Sequence, residues 1–123
     1  MAIVLPDGIL GNDGLEYVRQ FILENADIVA VIDCPVESFL PTTDTKTSLM
    51  ILKKKKDNSL PQTFEVFMAI AKACGHDRRG KEVYKRQKNG DIVFEGNEAV
   101  IDNDFKDITG RLLEHVTGKN IYN

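Results

Sequence analysis

Val4-Leu5-Pro6-Asp7-Gly8 and, further on, Ser38-Phe39-Leu40-Pro41-Thr42-Thr43-Asp44-Thr45-Lys46-Thr47-Ser48-Leu49-Met50-Ile51-Leu52 are the stretches from which the fold is read. The first closes a wholly apolar run, residues 2 to 5, that contains β-branched side chains and is stopped by Pro6. That pattern predicts a buried parallel strand, covered on both faces, in the middle of a sheet. The second carries a polar connection, residues 36 to 46, into the apolar run Thr47 to Leu52, which predicts a strand ended by Lys53-Lys54-Lys55-Lys56.

Between the two, Asp13 and Glu16 have capping-box spacing, and Leu15, Val18 and Ile22 recur at helical intervals. They predict an amphipathic helix over residues 13 to 25. Ile28 to Ile32 is a further apolar run ended by Asp33 and Pro35. Strand, helix, strand in that order predicts a right-handed βαβ unit. The connection 36 to 46 is too short for a second crossover, so the Thr47 to Leu52 strand should run antiparallel to its neighbour.

Beyond it, Asp57-Asn58-Ser59 reads as a turn and Phe64 to Ala71 as a fourth strand able to pair with the third. Lys88-Asn89-Gly90-Asp91 carries an Asn-Gly hairpin signal between Val83-Tyr84 and Ile92-Val93-Phe94. Phe105, Ile108, Leu112 and Val116 keep helical spacing after Asp102 or Asp104, with Gly118 as a stop, and predict a helix from about 104 to 117.

The order and content of these segments resemble the N6-adenine DNA methylase domain, most closely its C-terminal portion in the modification subunit of type I restriction-modification systems. Gly75-His76-Asp77-Arg78-Arg79-Gly80 is similar to the segment that follows the methylase core in those subunits. The resemblance implies an α/β fold: the C-terminal part of a Rossmann-like methyltransferase sheet, with a parallel βαβ unit, antiparallel strands and a C-terminal helix. Residues 1–123 would form a single domain, with 1–56 as core strands and 57–123 as a strand, hairpin and helix extension.

For function, the resemblance implies an adenine-specific DNA methyltransferase using S-adenosylmethionine, with DNA as substrate and with specificity and restriction subunits as partners. An enzyme acting on a base must take it out of the stack and grip its face. Phe39 matches the family's aromatic position for that contact; the other reading of Phe39 is a staple that packs its loop on the sheet. Thr42, Thr43, Thr45 and Lys46 are placed to contact the flipped nucleotide or its backbone, unless they only satisfy loop amides. Arg78 and Arg79, in a tight glycine-bracketed turn, are candidate phosphate contacts. His76 has no second base or nucleophile near it in sequence, so a structural or phosphate-contacting turn is the expectation there.

Other motifs of the family are missing from the sequence. Amino-methylases of this type need Asn-Pro-Pro or Asp-Pro-Pro followed by an aromatic residue, and the four prolines here are isolated from one another. The glycine-rich donor loop is missing too. Gly8, Gly11 and Gly14 imitate one, with Asp33 as a would-be ribose acid, but the dinucleotide fingerprint has glycines two and then three apart, whereas these are three and three. No catalytic, cofactor-binding or metal residue is therefore assigned, and the chain is expected to be an inactive fragment of a larger enzyme. Its first strand would then have lost a neighbour, and self-association is expected. The alternative is a small non-catalytic α/β interaction module.

Composition sets the outer bounds. A chain of 123 residues with 42% apolar and 28% charged side chains suits one globular domain. No apolar run approaches the roughly 18 residues of a membrane span, and the start has no signal-peptide pattern, so a cytoplasmic protein is expected. Cys34 and Cys74 have no partners at metal-ligand spacing and read as free thiols. The net charge of -3 argues against an all-over nucleic-acid binder, although Lys53 to Lys56 and the region from Arg78 to Lys88 gather positive charge locally.

Overall fold

The computed structural model describes residues 1–56 and 65–118. The expected turn at Asp57-Asn58-Ser59 lies outside them. Strand β1 spans Ala2–Pro6 and is followed by a short helix α1, Asp7–Gly11, a 3-10 turn, Asp13–Leu15, and helix α2, Glu16–Asn25. Strand β2, Ala26–Asp33, leads through a second 3-10 turn, Val36–Phe39, to β3, Thr47–Lys54. Strands β4 (Phe67–Ile70), β5 (Phe94–Glu95) and β6 (Glu98–Ala99) and helix α3 (Phe105–Gly118) complete the order.

The main sheet has the order β1-β3-β2-β4. β3 runs antiparallel to both β1 and β2, and β4 runs parallel to β2. β1 and β2 are thus parallel to each other, joined by the α1-α2 crossover, with β3 inserted between them. The strand-helix-strand and antiparallel expectations hold, and the structure adds that the reversed strand fills the gap inside the crossover. The fourth strand pairs with β2 and not with β3, because both flanks of β3 are already occupied.

β1 departs from the buried, central strand that its apolar run predicts, though not from the expected lack of one neighbour. It is an edge strand bonded to β3 on one side, with Ile3 36% and Val4 45% exposed. Its apolar run had suggested burial on both faces, but that requires cover on each face and a neighbour on each flank.

The helix expected over 13 to 25 is shorter and capped differently. Residues 13 to 15 form the 3-10 turn, which Asn12 and not Asp13 caps, its side chain accepting the Gly14 N–H at 2.9 Å, while Leu15 at the cap position of α2 makes no side-chain bond. Arg19 on α2 reaches back to the carbonyls of Ile9 and Asn12 at 2.9 and 2.8 Å, satisfying acceptors at the end of α1. Gly8 and Gly11 lie within α1, so they form no open phosphate loop.

α3 forms as expected and packs on the sheet. Ile108 joins Ile32 and Ala71 in a buried cluster flanked by Leu49, Phe67, Ala69 and Phe105, and Val116 is 1% exposed. Each such aliphatic side chain contributes about 1.5–3 kcal/mol through burial. Asp104 stands at the N-cap position, its carbonyl accepting the Ile108 N–H at 3.0 Å, but its carboxylate bonds outside the helix and it is Asn103 Oδ1 that accepts the Phe105 N–H, at 2.9 Å.

Residues 74 to 103 form an irregular antiparallel meander held by the bridges Cys74 with Asn103, His76 with Glu82, Tyr84 with Ile101 and Arg86 with Ile92. The Asn-Gly signal holds here: Gly90 turns with φ 92°, and Gln87 N–H bonds Asp91 O at 2.7 Å.

Candidate nucleic-acid interface

Because β1, β2 and β4 are mutually parallel, their carboxyl ends lie along one edge of the sheet, beside the start of the reversed β3. Open α/β sheets bind ligands outside that edge. Three segments leave it: α1 after β1, the connection from Cys34 to Lys46 after β2, and residues 71 to 80 after β4.

The base of the Cys34–Lys46 connection is tightly bonded. Cys34 N–H donates to Thr47 O at 3.0 Å and Asp7 N–H to Lys46 O at 3.1 Å. The Lys46 ammonium group donates to the Asp33 carboxylate and to Cys34 O, and lies 3.9 Å from Asp7 Oδ2. Ser48 Oγ donates to the other Asp7 oxygen at 2.9 Å. Burial pushes the Cys34 thiol up from its ordinary value, with the Thr47 hydroxyl pulling partly the other way. A buried, protonated thiol follows.

Above this base the connection folds on itself. Ser38 N–H bonds Pro35 O and Leu40 N–H bonds Glu37 O, closing the 3-10 turn, and Thr43 N–H reaches Phe39 O at 3.0 Å. The Leu40-Pro41 peptide is cis. Thr43 Oγ1 lies 3.0 Å from Thr45 Oγ1 and accepts the Thr45 N–H at 3.2 Å, while Thr42 is exposed. Phe39 is 40% exposed and stands outside the buried cluster under α3.

Gly75 to Gly80 forms the tight turn expected of it, with φ of 93° and 82° at its two glycines. Asp77 accepts the N–H groups of Arg79 and Lys81 at 2.8 and 3.0 Å. The Lys81 bond first, then that from Arg79, hold its carboxyl below the usual carboxylate range. The Arg78 and Arg79 side chains are exposed and have no bonding partner among the described residues. A Cβ placed on Gly80 would meet Pro41 Cδ at 3.8 Å, so this turn abuts the Phe39 loop. Two segments far apart in sequence are thereby brought together. Beside them opens a cleft of about 350 Å³, lined by Glu37 of the loop and mainly by the segment after β4, including Lys72, His76 and Arg78, with Val83 and Asp102; Phe39, Thr42, Thr43, Thr45, Lys46 and Arg79 do not line it. His76 Nδ1 lies 3.0 Å from the carbonyl of Asp77, in keeping with a place in the turn.

The lysine run is elsewhere. Lys53 and Lys54 pair with Asp27 and Ala26 at the amino end of β2, across the sheet from Phe39. Lys55 is not a solvated strand end: its side chain is 5% exposed and donates to Leu23 O near the end of α2 at 2.7 Å. Asp7 and Ser48 are site residues that sequence reasoning passed over, and Asp33 was weighed there only as a ribose acid. The signal available was an acidic residue directly after each of two apolar strands.

Among the described residues no group of three or more His, Cys, Asp or Glu side chains is placed to hold a metal, and no helix is long and apolar enough to cross a membrane. No curated protein matches the chain. The model of one family, N-6 DNA Methylase, matches residues 1–104, which takes in β1 to β6, the Phe39 loop and the arginine turn. A match over that share of its length makes the chain a member of the N-6 DNA methylase family.

Proposed function

We propose that the chain is the C-terminal, base-holding portion of an adenine-specific DNA methyltransferase of a type I restriction-modification system. The observation that carries this reading is the convergence of the Phe39 loop and the Gly75–Gly80 turn at the carboxyl edge of the sheet, where an extrahelical nucleotide would lie. In the intact enzyme S-adenosylmethionine would supply the methyl group to the exocyclic amine of adenine. Such a displacement depends on alignment of amine, methyl carbon and sulfur, so the contribution of this portion is positioning.

Phe39 would stack on the base. Thr42, Thr43 and Thr45 would contact the nucleotide's sugar and phosphate, and the exposed guanidinium groups of Arg78 and Arg79 would take flanking phosphates. Donor-binding and catalytic motifs would come from outside this sequence, together with specificity and restriction subunits. The chain alone would be inactive.

Two titrations test this. An oligonucleotide carrying 2-aminopurine should bind the full chain, with a fluorescence change on stacking, while S-adenosylmethionine at millimolar concentration should give no calorimetric signal. Saturable one-to-one donor binding would overturn the assignment to a base-holding portion. Absence of any oligonucleotide binding would favour a non-catalytic interaction module.

A further inference from the structure

Lys46 stands among the candidate DNA contacts, yet its geometry differs from that of Arg78 and Arg79. A lysine ammonium has three N–H donors. Here it bonds the Asp33 carboxylate and Cys34 O, and Asp7 Oδ2 stands 3.9 Å away. Two of the three donors are thus committed within the protein, and a phosphate would have to share the remaining one with the Asp7 carboxylate beside it. Cys34 is where the Phe39 loop leaves β2, and Lys46 is where the loop meets β3. One side chain thus joins the two ends of the loop, while Asp7, fixed by Ser48, ties the same point to the end of β1.

The rest of the loop has no comparable anchor. Among the described residues, the hydrogen bonds of residues 36 to 45 close within the loop itself, where Pro41 lies beside Gly80 and Glu37 faces the residues that follow β4. We infer that Lys46 is a positioning residue, which braces the Phe39 loop on the carboxyl ends of β1 and β2 and so fixes where Phe39 meets the base. This rests on the reading of that loop as the base-holding surface. Asp33 is the partner that makes the brace, and Asp7 with Ser48 sets its place. Lys46 and its acidic partners are each about 40% exposed at the side chain, and such pairs add little to global stability. The consequence of losing the brace is therefore local.

The test uses the full chain with Lys46→Ala, Lys46→Arg and Asp33→Asn, reading amide exchange at Leu40 and Thr43 and binding of the 2-aminopurine oligonucleotide across a salt series. Lys46→Ala and Asp33→Asn should each speed exchange at those two amides about tenfold or more and weaken oligonucleotide binding about tenfold, a scale set by the sensitivity of positioned groups to small displacements. The slope of log affinity against log salt should stay as in the parent, and Lys46→Arg should restore both readouts. Unchanged loop exchange in Lys46→Ala, with a salt slope smaller by about 0.7 to 0.9, would mean a lost phosphate contact and overturn the inference. So would faster exchange spread evenly over the sheet, which would make Lys46 a residue of the whole fold. If the parent chain bound no oligonucleotide, the base-holding reading would fall, and the exchange pattern alone would decide the brace.

Discussion

Asp104 grips Ala73 twice: its carboxylate accepts the Ala73 N–H at 3.0 Å and its own N–H donates to Ala73 O, also at 3.0 Å. The same carboxylate oxygen accepts the Lys72 N–H at 2.8 Å. A side chain beside the start of α3 therefore holds the segment that carries β4 into the cleft. Asp104→Ala should destabilise the protein by about 1–3 kcal/mol, since it leaves two backbone donors without acceptors. Thermal or urea denaturation measures this. Asp104→Asn, which keeps one acceptor oxygen, should lose less.

Phe39 is exposed enough that truncation should spare the fold. Phe39→Ala should leave the melting temperature nearly unchanged while weakening binding of the 2-aminopurine oligonucleotide by about 1–3 kcal/mol, the range for base stacking on an aromatic ring. Phe39→Trp should retain most of the affinity. Equal loss of stability and binding in both variants would identify Phe39 as a packing staple.

Asp77 gives the arginine turn a pH dependence. Its folded carboxyl lies below the ordinary value, chiefly through the Lys81 backbone bond. A depressed folded value means that the turn is fully supported above the unfolded carboxylate range and loses that support as pH falls through the folded value. The amide resonances of Arg79 and Lys81 should shift together in an acid titration. Asp77→Asn should abolish the coupled transition without altering the amides of β2 and β3.

Among the described residues nothing pairs with the flank of β1 that faces away from β3, which lies beside the exposed Ile3 and Val4 with no charged side chain from Ala2 to Leu5 to discourage pairing. The isolated chain should self-associate with rising concentration, most simply as a two-fold dimer through this strand. Light scattering should show the mass increase, and Val4→Lys should reduce it. A monomer at all concentrations would remove the edge as a contact surface.

What the sequence disclosed was local chemistry. The βαβ order, the reversed third strand, the Asn89-Gly90 turn, the glycine-bracketed Asp77 turn and the α3 stripe each depend on residues close in the chain, and each is found. Partner choice was not legible. Nothing local tells Phe67 to Ile70 that β3 is already flanked on both sides, and nothing in the run from Ala2 to Leu5 distinguishes an edge from a centre. At the candidate site Phe39 and the arginines could be named from residue type and resemblance. The brace among Asp7, Asp33, Lys46 and Ser48 could not, because it exists only once three strand ends meet.

The insertion of β3 between β1 and β2 also dictates an order of assembly. β2 and β3 are separated by one loop and can zip together early, whereas the pairing of Ala2 with Ile51 must wait for a strand made much later in synthesis. The earlier-made of these two strands is thus the last to find its place. It should also be the first to come away: exchange under mildly destabilising conditions should open the β1 amides before those of the β2–β3 ladder, so that the wall beside Asp7 can loosen while the rest of the sheet stays closed.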